Sequence, residues 1–177
     1  MIILAMYARV AFSADSTYTG ELSFRADTNI SKMSMQGKTR NFKTLDINFK
    51  DTKPQRLTIV AVVDTSTILS TIYFNNYEVY KNNFLSKENR NAPTFLKMKL
   101  TNAACTPFKK GFECTGSGEF MLSKAGFTKI IKIILDEKLN ALSVFTLSQK
   151  ELNLKPHNFV GVEIDDQVKV YLYAFHK

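Results

Sequence analysis

From residue 18 onward, apolar side chains return at every second position in one segment after another. Leu22, Phe24 and Ala26 alternate with Glu21, Ser23, Arg25 and Asp27, and Leu45, Ile47 and Phe49 alternate with Asp46, Asn48 and Lys50. Leu57, Ile59, Ala61 and Val63 follow the Asp51 to Pro54 turn, and Leu96, Met98 and Leu100 alternate with Lys97, Lys99 and Thr101. The pattern resumes at Phe120 and Leu122, at Ile131, Ile133 and Leu135 around an outward Lys132, at Phe145 and Leu147, and at Val168, Val170, Leu172 and Ala174. A period of two places one side of a strand in a core and the other in solvent. About eight such strands, separated by turn signals, indicate an all-β antiparallel barrel or sandwich. Fourteen Phe and seven Tyr, with no Trp, suit this reading because rings pack well on a pleated surface.

The stretch from Ser66 to Pro93 breaks the rule. Ile68, Ile72, Tyr73, Val79, Phe84 and Leu85 form neither an alternation nor a long helical stripe, so a short helical insert around residues 70–90 is expected across one end of the sheet. No fixed-period repeat and no Pro, Ser or Gly linker divides the chain, so residues 18–177 read as a single domain. Residues 1–17 are either the remnant of a leader or the first element of the domain. Small residues around Ala11, Phe12 and Ser13 suit a signal peptidase, but a basic n-region is missing and Arg9 interrupts the apolar run. A periplasmic or secreted location and a cytoplasmic one both stay open.

Lys and Arg outnumber Asp and Glu by 24 to 16, a net charge of +8. Lys97, Lys99, Lys129, Lys132 and Lys169 are scattered singly, as the solvent faces of strands would have them, and no basic run exceeds Lys109-Lys110. Nucleic acid is therefore not an expected partner, whereas transient contact with an anionic membrane surface suits this balance. Cys105 and Cys114 flank Pro107, Lys109, Lys110 and Gly111, which read as a turn. A reversal there sets the two Cys opposite each other in a hairpin, within reach of a disulfide, with Gly111 a candidate bulge. Buried thiols are the rival reading. Zinc is disfavoured because His157 and His176 do not form a ligand spacing with the Cys pair.

A catalytic apparatus has recognisable residue patterns, and the nucleophile elbow, P-loop, zincin helix and dinucleotide fingerprint do not occur in this sequence. Cys105 or Cys114 with His157 makes a weak nucleophile pair. Glu163, Asp165 and Asp166 read as a solvated turn before the last strand rather than as a cation site. The chain is expected to be no enzyme and to carry no cofactor or metal.

Several pieces in this order resemble the YceI-like family, lipocalin-like proteins of bacteria that bind lipids and polyisoprenoids. They are the strand Leu22-Ser23-Phe24, the run from Met35 through Gly37 to Phe42, Leu57-Thr58-Ile59 and Thr67-Ile68-Leu69-Ser70. Phe84-Leu85 and Ala92-Pro93-Thr94 follow, and then Gly116-Ser117-Gly118-Glu119-Phe120-Met121-Leu122 with Gly126-Phe127-Thr128-Lys129. Leu147-Ser148-Gln149 and Asp165-Asp166-Gln167-Val168 complete the series. The departures are polar: Asn75-Asn76-Tyr77-Glu78-Val79 stands where the family has charged residues in its insert, and Gln149 stands where it has Arg.

The resemblance implies an antiparallel eight-stranded lipocalin-like barrel. Such a barrel is wide enough to be filled by its own side chains or to hold one small ligand. The implied ligand is a polyisoprenoid or fatty-acyl chain, and the residues expected to line its site are Phe24, Phe42, Ile59, Ile68, Phe84, Met98, Phe120, Leu122, Ile131, Ile133 and Phe145. Met33, Met35, Met98 and Met121 are candidate adaptable wall positions. The alternative is a filled barrel acting as a homodimeric module, with Tyr171, Tyr173 and Phe175 forming an outer aromatic seam.

Overall fold

The computed structural model describes residues 17–30, 33–50, 56–74, 77–82, 95–122, 125–151, 158–159 and 162–177; side chains are described for all of these except 66, 69–74, 77–82 and 158–159. The strands are β1 (Tyr18–Thr28), β2 (Met33–Thr39), β3 (Phe42–Phe49), β4 (Arg56–Asp64), β5 (Leu69–Phe74) and β6 (Tyr77–Asn82), followed by β7 (Phe95–Phe108), β8 (Gly111–Leu122), β9 (Ala125–Leu135), β10 (Ala141–Ser148), β11 (Asn158–Phe159) and β12 (Val162–His176). All belong to one antiparallel sheet in the order β3-β4-β7-β8-β9-β10-β12-β1-β2-β5-β6, with β11 on β12. The sheet curls until β3 meets β1. A Cβ added at Gly20 of β1 would lie 3.0 Å from the Phe42 ring, so glycine permits the close approach of the two strands.

The alternation read from the sequence is the alternation of burial. Leu22, Phe24 and Ala26 of β1, Ile59, Ala61 and Val63 of β4, and Val168, Val170 and Leu172 of β12 are all buried. Register aligns these positions into rows around the inner surface. One row runs Gly37, Phe24, Val170, Phe145 across β2, β1, β12 and β10. Another runs Leu45, Ala61, Met98, Phe120, Phe127 across β3, β4, β7, β8 and β9, and the next runs Ile47, Ile59, Leu100, Gly118, Lys129.

The structure corrects several expectations. Among the described residues the sheet has twelve strands, more than the eight expected. No helix occupies the described part of residues 70–90: β5 and β6 pair there from Leu69↔Asn82 to Phe74↔Tyr77, and the helical content nearby is the single 3-10 turn Thr65–Thr67. The backbone ladder stabilises this hairpin without needing an alternating sequence. Gly111 introduces no bulge, because it pairs directly with Phe108; the irregularity in β7–β8 lies instead between Leu100 and Ala104, where Asn102 takes a φ of 53°. A Cβ at Gly111 would collide with the Leu135 carbonyl oxygen, which explains glycine at that position. Asp165 and Asp166 lie within β12, at the register shift between Ala26 and Thr28 of β1, rather than in a turn before the last strand.

Ladders on either side of the β9–β10 junction are long, but the one between these strands is short. Its register is Ala141↔Leu135, Leu142↔Ile134 and Ser143↔Ile133, although β10 continues to Ser148 and β9 begins at Ala125.

Candidate ligand-binding site

Among the described residues, two apolar cavities lie against the inner surface. The larger, about 40 Å³, sits between β1, β12, β10 and the 3-10 turn and is lined by Leu22, Phe24, Ile68, Leu122, Leu147 and Val170, with Thr65 and Gln149 as its polar neighbours. The smaller, about 20 Å³, is walled by Ile59, Met98, Phe120, Ile131, Ile133 and Phe145. Phe120 packs on two rings, Phe127 at 5.3 Å and Phe145 at 5.0 Å between centroids. Both cavities are small beside pockets that enclose a drug-sized ligand, which run to roughly 300–1,000 Å³.

Gln149, beside the larger cavity, is held where the bend of β12 meets the end of β10. Gln149 donates its backbone N–H to the Asp166 carbonyl at 3.0 Å and its side-chain amide to the Asp165 carbonyl at 2.8 Å. The Ser148 hydroxyl donates to the Asp166 carboxylate at 2.6 Å, and the Lys150 N–H donates to its other oxygen at 3.0 Å. Partial burial raises the Asp166 pKa, but bonds from Ser148, Lys150 and Gln167 and the Lys150 charge outweigh it, so the carboxyl titrates below its ordinary value. Among the described residues, no buried side-chain nitrogen or oxygen lacks a hydrogen-bond partner. The Gln149 amide is therefore held by the β12 backbone, and the surface that faces the cavity is apolar.

The residues expected from the sequence divide between the two cavities. Phe24, Ile68 and Leu122 line the larger; Ile59, Met98, Phe120, Ile131, Ile133 and Phe145 line the smaller. Phe42 packs half-buried against the core, outside both. Phe84 lies outside the described residues. Of the methionines, Met35 and Met98 are buried, Met33 is half-buried, and Met121 faces outward at 45% exposure, which removes it from the wall. Leu22, Leu147, Val168 and Val170 also line the larger cavity; their place in the alternation already signalled an inward side chain.

Lys129 differs from the solvent-facing reading of the sequence. It shares the inward parity of Phe127, Ile131 and Ile133, is half-buried, and donates its ammonium to the Thr146 carbonyl at 2.7 Å across the unpaired part of the β9–β10 junction. Cys105 and Cys114 are opposite each other in the β7–β8 register and joined by a disulfide, beyond a two-residue turn in which Lys109 takes a φ of 52°. Tyr171 and Tyr173 are half-exposed on the outer face and Phe175 is exposed, with the Tyr173 and Phe175 rings stacked 6.4 Å apart.

No family model matches the sequence, and no curated protein matches it. The fold is similar to the crystal structure of BcnA from Burkholderia cenocepacia, with a TM-score of 0.57 and 10% sequence identity over 88% of this chain and 94% of that one. At this identity the likeness concerns the fold alone, an all-β antiparallel curled sheet.

Proposed function

We propose that this protein binds the apolar chain of a lipid, fatty-acyl or polyisoprenoid, inside the curled sheet, without catalysing a reaction on it. The observation that carries this reading is the wall of the larger cavity, whose surface is hydrocarbon although Thr65 and Gln149 are among its lining residues. Each buried methylene contributes ~0.8 kcal/mol, so ten contribute roughly 8 kcal/mol before the cost of ordering the chain. A chain longer than a few carbons enters by displacing side chains from a cavity of about 40 Å³. Met35 and Met98, unbranched and buried, are suited to re-pack around it. The disulfide supports an oxidising location, periplasmic or extracellular.

A second reading has its own support. Cavities this small favour an interior filled by its own side chains, and the stacked Tyr173 and Phe175 on the outer face suit a homodimer seam. Native mass spectrometry of the protein purified from bacteria, followed by organic extraction, separates the two. The lipid reading expects a co-purifying apolar molecule and saturable uptake of a fluorescent fatty acid. Protein that is repeatedly lipid-free, takes up no such probe and dimerises until Phe175→Glu is introduced supports the filled module instead.

A further inference from the structure

We propose that the unpaired part of the β9–β10 junction is the entrance for the apolar chain and that Lys129 holds the chain's anionic end, a carboxylate, at that entrance. The proposal rests on the reading that the interior takes such a chain.

The junction is a gap in the backbone ladder. Registered pairing stops at Ser143↔Ile133, and beyond it side chains bridge the strands: the Ser143 hydroxyl donates to the Lys132 carbonyl at 2.7 Å and the Lys129 ammonium to the Thr146 carbonyl at 2.7 Å. Across the neighbouring β8–β9 and β10–β12 ladders a chain would have to break a cooperative run of backbone bonds to pass between strands. Here, among the described residues, the bridges between the strands are these two side-chain hydrogen bonds.

Behind the gap lies apolar space. Ile131 and Ile133 of β9 and Ser143 and Phe145 of β10 line the smaller cavity, and half-buried Phe127 at the gap is stacked on Phe120. Lys129 stands on the inner row with Ile47, Ile59, Leu100 and Gly118, an unusual place for a cation. Its neighbour Lys132, on the outer face, is paired with Glu113 at 2.9 Å. Among the described residues no carboxylate is paired with Lys129; its acceptor is a neutral carbonyl. A half-buried ammonium beside hydrocarbon and without a counter-ion gains most from an anion attached to an apolar tail. This chemistry selects a fatty acid over the corresponding alcohol.

The test compares a fluorescent sixteen-carbon fatty acid with the alcohol of the same chain, by equilibrium titration and stopped-flow association. The wild type is expected to prefer the acid by about tenfold, and Lys129→Met, which keeps an unbranched stem, to abolish that preference while binding the alcohol unchanged. Lys132→Cys with Val144→Cys, placed on the outer face on either side of the gap and joined by a short bis-maleimide, is expected to slow association of both probes by about tenfold or more relative to each single-Cys variant. Equal acid preference in wild type and Lys129→Met, together with undiminished association in the bridged protein, overturns the entrance and leaves interior binding standing. Failure of the wild type to bind either probe overturns the interior reading and this proposal with it.

Discussion

Replacing Phe120 by Ala asks the inner surface whether its rings are packing or wall. Phe120 is 1% exposed, flanked in its row by Met98 and Phe127, and in contact with Phe145 on the far side. Both neighbouring strands are held to β8 by ladders, so the backbone cannot close over a void. Losing the buried ring forfeits about 2 kcal/mol of transfer free energy, and a residual cavity of roughly 80 Å³ adds about 2 kcal/mol at 24 cal/mol per Å³. The sum, about 4 kcal/mol, corresponds to a fall in Tm of roughly 8–16 °C for a chain of this size. The new space joins the smaller cavity, and apolar cavities of roughly 150 Å³ stay dry and accept small apolar ligands. A fatty acid at a hundred times its Kd is therefore expected to restore about 2.7 kcal/mol, more than it gives to the wild type at the same concentration. Thermal unfolding followed by circular dichroism, with and without the fatty acid, reads both effects. A variant that melts within about 2 °C of wild type would refute the packing argument. A destabilised variant that no fatty acid stabilises would refute the claim that interior volume is what limits binding.

Two further outcomes follow from the covalent and ionic features. Replacing Cys105 and Cys114 together by Ala releases a loop closed over a separation of nine residues, which by chain entropy costs about 2.5 kcal/mol and shows as a lower urea midpoint, with a slope no smaller than wild type because the released denatured chain exposes at least as much surface. Asp166, whose pKa is lowered in the folded state, stabilises the protein above the ordinary carboxylate value of about 3.9; that contribution fades as pH falls through the folded-state value. Asp166→Asn is expected to flatten the dependence of unfolding free energy on pH below about pH 5, and an unchanged dependence would show that its bonds to Ser148 and Lys150 do not favour the ionised form.

What was legible in the sequence was whatever a single strand shows by itself. The inward positions of β1, β4, β7 and β12 stood out because one side of each faces the core, and their burial follows the alternation residue by residue. The opposition of Cys105 and Cys114 was legible because a two-residue turn fixes its own register. β5 and β6 were not, since their sequences carry no apolar period and the backbone ladders that extend the sheet beyond β2 impose none. Their signal was present in another form: the sequence places Asn75-Asn76 between Phe74 and Tyr77, residue types that favour a tight reversal. Lys129 was missed because an isolated lysine suggests solvent; counting by twos back from Ile133 and Ile131 sets it on the inner face. Where a ladder stops depends on two strands at once, so the β9–β10 gap has no counterpart in either strand's own sequence.

The pairing of β1 with β12 has a consequence for how the molecule is made. Tyr18 meets His176 and Phe24 meets Val170, so strands from opposite ends of the described chain lie side by side in the interior of the sheet order. During synthesis this wall cannot close until residues 162–176 have left the ribosome or the translocation pore, and until then β1 and β10 each present an unpaired edge beside exposed apolar side chains. Shortening the chain from the C-terminal side would remove a shared neighbour of two strands and leave two sticky edges, the arrangement from which aggregation starts. A chaperone or the membrane surface that shields those edges during the interval would thus contribute to yield while leaving the finished fold unchanged.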